Sequence, residues 1–316
     1  MTPAGRTAGV GLSVDRRLVE ASVLAVMVVW AGNFIVVKGA VSVMPPVGFT
    51  FLRFSLASLT LLGLLRWHGG VVRMPRADLG RIILLGGLGF GCYQILWTVG
   101  LQSIPAGDSA LLIAATPVLT AVIAVLIGTD TLTPLKGTGV VLSFLGVVVV
   151  VAAGVGIELS GSPIGFALTL GAALCWAVYT AFGAMLLRRH SPLILTALAT
   201  IGGTLVLAPV GLAQLAAPGA VDLDAAGGML PILLAIGYSG IFAAGLSNVI
   251  VFNGVRLLGP TRVTTVQSLV PAMAVFLAFL FLSEPIRPGQ VAGGAIIVTG
   301  VGLTRIAARR AAMVRS

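Results

Sequence analysis

The chain has 316 residues, of which 58% are hydrophobic and only 9% are charged. Soluble domains carry about 25% charged residues, so this composition excludes a soluble globular protein and indicates an integral membrane protein. The net charge of +10 does not indicate a nucleic-acid-binding surface, because basic residues commonly flank membrane spans on their cytoplasmic side.

Ten apolar segments follow one another along the chain, each long enough to cross a hydrocarbon core of about 30 Å. The first exceeds twenty residues and is longer than the apolar region of a secretory signal, roughly 7–15 residues. We therefore predict an uncleaved first span and an all-α integral membrane fold. The predicted spans are 20–42, 46–67, 79–101, 105–127, 135–153, 163–187, 191–212, 229–254, 260–282 and 288–306.

The lysines and arginines are distributed unevenly between the two sides of these spans. If the N-terminus is cytoplasmic, nearly all of them fall on the cytoplasmic side; Lys38 and Arg53 lie within spans, and Arg287 lies outside. Such an excess of basic residues is typical of the cytoplasmic side of a membrane. We therefore predict that both tails, 1–19 and 307–316, are cytoplasmic.

The two halves of the chain resemble each other, and the region of the third to fifth spans aligns with its counterpart in the second half without gaps. Each half holds five predicted spans, an odd number, so the second half must enter the membrane in the opposite orientation to the first. Inverted repeats of this kind are typical of secondary transporters, which bind substrate near the midplane between the repeats. The aligned pairs are Gly100 with Gly254, Pro117 with Pro271, Asp130 with Glu284, Gly146 with Gly300 and, at a second offset, Trp30 with Trp176 and Pro46 with Pro192.

Specific motifs in both halves resemble those of a known family. The stretch WAGNFIVVK at Trp30–Lys38, followed by Pro46 and Arg53, resembles the opening of an EamA repeat of the drug/metabolite transporter superfamily. The segments 100–142 and 253–294 each resemble the close of that repeat, although Asp130 stands where the family usually has glutamate. The resemblance implies two EamA repeats, 20–153 and 163–306, and a ten-helix transporter of small metabolites, among which amino-acid exporters are well represented.

Polar and aromatic residues near the middle of several spans are the candidates for substrate binding. Polar side chains at this depth cost free energy unless they face a cavity or a partner helix. Any single one of them is also explained by a hydrogen bond between helices, worth roughly 1 kcal/mol. The candidates are Trp30, Asn33, Tyr93, Gln94, Trp97, Trp176, Tyr179, Asn248 and Gln267.

A second group of residues has predicted structural or gating roles. We expect Arg53 and Lys38 to pair with Asp108 or Glu284, because a charge within a membrane span requires a partner. Direct contact between Arg53 and the substrate stays open as the alternative, and Lys38 can instead extend towards the outer surface. Asp130 and Glu284 precede the fifth and tenth spans, where negative charge complements a helix N-terminus. Two prolines at mid-span, Pro117 and Pro271, predict kinks.

The sequence predicts no enzyme, metal site or cofactor. An intramembrane hydrolase would need a catalytic constellation such as His-Glu-x-x-His, which is absent. A passive channel or a non-transporting assembly protein stays open as a third class, although the sequence shows neither a ring of charges nor a repeated filter loop. We predict alternating-access transport of a small polar metabolite, most favourably amino-acid export, and the resemblance implies a bacterial cytoplasmic (inner) membrane. Nucleosides or purines, cationic drugs and sugar phosphates stay open as substrates. Transport direction and ion coupling also stay open. The choice between monomer and homodimer stays open too, because glycine faces at 139–146 and 293–300 suit packing within or between chains.

Overall fold

The computed structural model describes residues 16–67, 74–155, 162–187, 189–258, 263 and 266–315, and every regular element within these ranges is a helix. We number the membrane helices in chain order, and α3, α4 and α8 each have more than one part. The helices are α1 (Arg16–Val43), α2 (Pro46–Trp67), α3 (Arg76–Gly86, Gly87–Cys92 and Tyr93–Ser103), α4 (Ala106–Ile113 and Thr116–Leu126), α5 (Pro134–Val155), α6 (Pro163–Leu187), α7 (Pro192–Leu215), α8 (Met229–Gly237, Tyr238–Leu246 and Ser247–Leu258), α9 (Leu269–Leu282) and α10 (Pro288–Arg315).

This set of helices confirms the predicted ten-span fold. In the described part of the chain, nine helices are long and apolar enough to cross a membrane, and α9 is a shorter apolar helix. The predicted start of the ninth span, at residue 260, lies outside the described residues, as does most of the predicted N-terminal tail. The last helix, α10, continues beyond the predicted end of the tenth span to Arg315.

The predicted kink at Pro117 is a complete break in α4. Residues 114–115 form a turn that separates the two parts of the helix, and Pro117 is the second residue of the second part. A proline has no N–H to donate to the carbonyl four residues earlier, which here belongs to Ile113. The hydroxyl of Thr116 donates to that carbonyl instead, at 2.6 Å.

The second half repeats these irregularities at equivalent positions. A turn at Ser268 precedes Pro271, as the turn at 114–115 precedes Pro117. Two π-helical segments, Gly87–Cys92 in α3 and Tyr238–Leu246 in α8, also lie at corresponding places in the two repeats. Because π-helical turns are rare and often found at functional sites, their repetition supports the inverted-repeat architecture and draws attention to α3 and α8.

Helices α5 and α10 cross at very short distance through glycines. A Cβ atom on Gly139 would lie 2.6 Å from the carbonyl oxygen of Gly300, and one on Gly146 would lie 2.7 Å from that of Gly293. The order of these pairs shows that the two helices are antiparallel. Both glycine faces are therefore used within the chain, and neither is available for packing against a second copy.

An even number of crossings brings both ends of the described chain to one side of the membrane. We call this side the terminal face and the opposite side the far face. At the far face the backbone N–H of Asp222 donates to the carbonyl of Val43 at 2.9 Å. The side chain of Gln214 accepts hydrogen bonds from the N–H groups of Val47 and Gly48, at 3.0 and 2.9 Å, and so joins α7 to the start of α2.

Candidate functional site

Aromatic side chains from α3 and α6 form a continuous group, the aromatic cluster, made of Phe90, Tyr93, Trp97, Trp176 and Tyr179. The rings of Tyr93 and Trp97 are nearly parallel, with centroids 6.2 Å apart. The ring of Trp176 lies 5.3 Å from Tyr93 and 5.1 Å from Tyr179. Phe90 packs edge-on against Trp176 and Tyr179. Because α3 belongs to the first half and α6 to the second, the aromatic cluster lies between the two halves.

The structure thus brings together four of the predicted aromatic residues and adds one. Phe90 was missed because its neighbours in the sequence GGLGFG are glycines and apolar residues, which indicate helix packing rather than a binding wall. The only available signal was its position, three residues before Tyr93, which places both rings on one side of a helix.

Next to the aromatic cluster lies a group of hydrogen-bonded side chains, the polar chain, made of Asn33, Arg53, Gln94 and Ser239. The guanidinium of Arg53 donates from Nη2 to Oε1 of Gln94 at 2.5 Å and from Nη1 to Oγ of Ser239 at 2.8 Å. The hydroxyl of Ser239 donates in turn to Oδ1 of Asn33 at 2.6 Å. These side chains come from α1, α2, α3 and α8, so the polar chain also links both halves.

The predicted pairing of Arg53 with Asp108 or Glu284 is wrong. Arg53 is only 1% exposed, and its described partners are neutral oxygens and aromatic rings. Its guanidinium carbon lies 5.5 Å from the ring centroid of Trp97, which connects the polar chain to the aromatic cluster. The two carboxylates bind other groups at the far face: Asp108 pairs with Arg287, and Glu284 accepts hydrogen bonds from the start of α4.

A glycine on α8 allows the polar chain to form. A Cβ atom on Gly240 would lie 2.6 Å from the backbone oxygen of Arg53, so α8 approaches α2 this closely only because position 240 has no side chain. The neighbouring residue is Ser239, whose hydroxyl then reaches Arg53. Sequence reasoning missed Ser239, because an isolated serine in a span commonly serves only for helix packing.

Three predicted site residues lie apart from the aromatic cluster. The indole of Trp30 donates to the carbonyl of Ala243 at 3.1 Å and packs against a separate apolar group formed by α1, α8 and the chain around the start of α9. The amide of Asn248 donates to the carbonyl of Ala244, one turn earlier in its own helix. Gln267 is half-buried beside the turn that precedes α9.

Lys38 has a different role from the predicted ion pair. Its ammonium donates to the carbonyl oxygens of Leu101 at 2.6 Å, Gln102 at 3.3 Å and Ile104 at 2.8 Å. These carbonyls lie at the C-terminal end of α3, where the last turn of a helix has no partners of its own and carries partial negative charge. Lys38 therefore caps α3 and ties it to α1.

Asp108 is fully buried at the far face and pairs with Arg287. The same carboxylate accepts a hydrogen bond from Nε2 of Gln290 at 2.9 Å. Arg287 precedes α10 and Gln290 lies in its first turn, whereas Asp108 lies in the first turn of α4. This group therefore connects the two halves at the far face.

The two acidic residues predicted to cap the fifth and tenth helices act differently. The carboxylate of Glu284 accepts hydrogen bonds from the backbone N–H groups of Ala106 and Gly107, at 2.8 and 3.1 Å, so it caps α4 rather than α10. Asp130 forms a 2.6 Å ion pair with Lys136, which is 1% exposed in the first turn of α5. Asp130 thus binds a side chain within its own half, whereas Glu284 caps a helix start across the two halves.

Comparison with solved structures supports the fold. A crystal structure that matches 91% of this chain and 98% of its own chain superposes with a TM-score of 0.63 at 18% sequence identity. At this identity the likeness concerns the fold alone.

Proteins with similar sequences include named transporters. The chain is 29% identical to a "Probable terminal-alkyne amino-acid exporter" of Streptantibioticus cattleyicolor, over 91% of this chain and 93% of that protein. It is 27% identical to the "Threonine/homoserine exporter RhtA" of Escherichia coli, over 81% of each chain. These relatives are transporters and not enzymes.

The family signature covers both halves of the chain. The EamA-like transporter family matches residues 18–152 and again residues 163–306. The two matches correspond to the helices α1–α5 and α6–α10. The helix breaks and the π-helical segments also occur once in each of these two sets of helices. With two matches that together span most of its length, this chain belongs to the EamA-like transporter family.

Proposed function

We propose that this membrane transporter exports amino acids by alternating access, with the aromatic cluster and the polar chain as its substrate site. The observation that carries the proposal is the position of both groups between the two halves. Transporters built from inverted repeats bind substrate at that interface and expose it to each side in turn by rocking one half against the other.

The chemistry of the site favours amino acids over cationic drugs. A buried arginine lies at one end of the site, and none of the residues that form the two groups is acidic. A cation would be repelled by the guanidinium, whereas a carboxylate would be attracted to it. The aromatic rings provide apolar surface for a substrate side chain. The named exporters among the relatives support the same substrate class.

The orientation of the protein belongs to the same proposal. Basic residues concentrate at the terminal face, including Arg66, Arg76 and Arg81, while the loop between α7 and α8 at the far face carries Asp222 and Asp224. By the positive-inside rule, the terminal face is cytoplasmic and the far face is external. We place the protein in the cytoplasmic membrane of a bacterium, with export running from the terminal face to the far face.

The test is flux into liposomes that contain the purified protein. A panel of radiolabelled amino acids, nucleosides and cationic drugs is measured with and without a pH gradient. We expect saturable flux of at least one amino acid, and a change with the gradient would show coupling to protons. Flux of nucleosides or drugs, without flux of any amino acid, would refute the proposed substrate class.

Substitution of Trp97 tests the position of the site. An aromatic contact is worth about 0.5–1.5 kcal/mol beyond its buried area, so Trp97→Ala is expected to raise the KM of amino-acid flux about tenfold. Trp67→Ala is the matched control, because Trp67 is 89% exposed at the end of α2, and its flux should equal that of the wild type. Trp97→Phe, a smaller change, serves if the alanine variant does not fold. An unchanged KM in the folded Trp97 variants would place the site elsewhere.

A further inference from the structure

Arg53 is a buried cation that lacks a negative partner among the described residues. Its side chain is 1% exposed, and its two hydrogen-bond acceptors, Gln94 and Ser239, are neutral. Its Nε atom is also buried and has no hydrogen-bond partner in the described part of the chain. A guanidinium therefore lies inside the membrane with unused donor capacity, and the described residues supply no charge that neutralises it.

Such an arrangement is costly unless something else compensates the charge. Ionisable groups within membrane spans normally pair with one another or line a path for a substrate, and a buried charge without a partner is strongly destabilising. The nearby rings of Phe49, Phe54 and Trp97, with centroids 5.1–5.7 Å from the guanidinium carbon, offer cation–π attraction. That attraction is weaker than an ion pair with a desolvated carboxylate.

The two carboxylates that the sequence offered as partners are committed to other groups. Asp108 holds Arg287 and Gln290, and Glu284 caps the first turn of α4. Neither can reach Arg53 without breaking a contact that joins the two halves at the far face. The anion that neutralises Arg53 must therefore come from outside this set of residues.

We propose that Arg53 binds the carboxylate group of the transported substrate. A planar guanidinium presents parallel N–H donors that match the two oxygens of a carboxylate. When the carboxylate takes the place of the Gln94 oxygen, the amide of Gln94 can rotate and donate through its own NH₂ group. The inference rests on the proposed transport function and defines the substrate class more narrowly, as a molecule with a carboxylate and an apolar or aromatic body.

The surrounding groups hold the guanidinium in place and define where the apolar part of a substrate would lie. The hydroxyl of Ser239 donates to Asn33 and so directs its lone pairs at Arg53, which holds the guanidinium in place. Trp97 lies 5.5 Å from Arg53 and stacks with Tyr93, so the apolar wall begins where the cation ends. A bound carboxylate would touch residues of α2 and α3 from the first half and of α8 from the second, which links binding to movement between the halves.

The alternative is that Arg53 only holds α2, α3 and α8 together. Both roles predict that its loss impairs transport, so a fall in flux alone does not distinguish them. They differ in how transport depends on the substrate's charge. A role in binding makes the loss specific to the carboxylate group, whereas a purely structural role lowers flux without changing the preference among analogues.

The experiment is competition against flux of a labelled amino acid in liposomes. The competitors are four matched compounds: the amino acid itself, its carboxamide, the amine that lacks the carboxylate and the carboxylic acid that lacks the amine. A hydrogen bond to a charged group contributes about 1.5–3 kcal/mol, so we expect the carboxamide and the amine to compete roughly ten- to a hundredfold more weakly than the amino acid. The carboxylic acid should retain most of the competition.

Variants of Arg53 test whether this preference depends on the guanidinium. We expect Arg53→Gln to bring the ratio between amino acid and carboxamide close to one, and Arg53→Lys to give an intermediate ratio. Arg66→Gln is the matched control, since Arg66 lies on the same helix but is exposed, and it should keep the wild-type ratio. If Arg53→Gln does not fold, the test compares the ratio between amino acid and carboxamide in the wild type with the same ratio in Arg53→Lys, which should be lower.

The outcomes separate this inference from the proposed function. The carboxamide and the amine could inhibit amino-acid flux as strongly as the amino acid itself does. That result would overturn the inference and leave the proposed function standing. Flux of other organic acids, lost in Arg53→Gln, with no flux of amino acids, would support the inference and refute the function. A wild-type preference that survives unchanged in Arg53→Gln would also overturn it.

Discussion

Gly300→Leu is expected to separate α5 from α10 and to destabilise the folded protein. The usual cost of overpacking is about 1–3 kcal/mol. A Cβ atom at this position would meet Oγ of Ser143, would lie 2.5 Å from the carbonyl oxygen of Gly139 and would lie 2.6 Å from the backbone nitrogen of Ser143. Two of these three atoms belong to the backbone of α5, which cannot move aside as a flexible side chain does. The effect should therefore fall at the upper end of that range.

Gly302→Leu is the matched control for this substitution. Gly302 lies two residues further along α10, and a Cβ atom there would meet nothing within 4 Å. Both substitutions replace glycine with a better helix former, so this gain cancels in the comparison. Unfolding in graded mixtures of dodecyl sulfate and mild detergent gives the free-energy difference. Equal stability of the two variants would contradict the tight crossing of α5 and α10.

Asp108→Ala is expected to cost about 3–5 kcal/mol, because removing one partner of a buried ion pair leaves the other charge without compensation. The carboxylate of Asp108 is 0% exposed and accepts hydrogen bonds from Arg287 and Gln290. Alanine removes both hydrogen bonds and also the link between α4 and the start of α10. The same unfolding measurement gives the size of the effect.

Two further variants show whether the charge pair is the cause. Asp224→Ala removes an exposed carboxylate from a loop at the far face and should change stability by less than about 0.5 kcal/mol. The double variant Asp108→Asn with Arg287→Gln replaces the ion pair with two neutral amides. It should be more stable than Asp108→Ala, and a result no better than the alanine variant would show that the uncompensated charge of Arg287 is not the cause of the loss.

The helices themselves were largely predictable from the sequence. A helix is the structure that satisfies its backbone hydrogen bonds within a single apolar segment, so hydropathy and length alone indicated the spans. The offset that aligned Pro117 with Pro271 also predicted the helix breaks, because a proline acts on the four residues before it. Hydropathy does not indicate how far α10 extends beyond residue 306, since its last residues are basic and no longer apolar.

The candidate site was only partly predictable. Tyr93, Trp97, Trp176 and Tyr179 were identified because tryptophan and tyrosine are unusual near the middle of a span. Ser239 and Phe90 were missed, because serine and phenylalanine are ordinary there. Trp30 and Asn248 were included on depth alone, but depth does not tell which side of a helix faces which neighbour.

The sequence by itself determined the number of spans, their order and the repeat, because these depend on the match between apolar length and membrane thickness and on residues near one another in the chain. Only the tertiary structure decided the partners of the charges. Glu284 caps α4 across the two halves, Lys38 caps α3, and Arg53 meets Gln94 and Ser239 in place of a carboxylate. A hydrogen bond requires its two atoms within about 3 Å, and that condition depends on how distant helices pack, which composition and spacing do not specify.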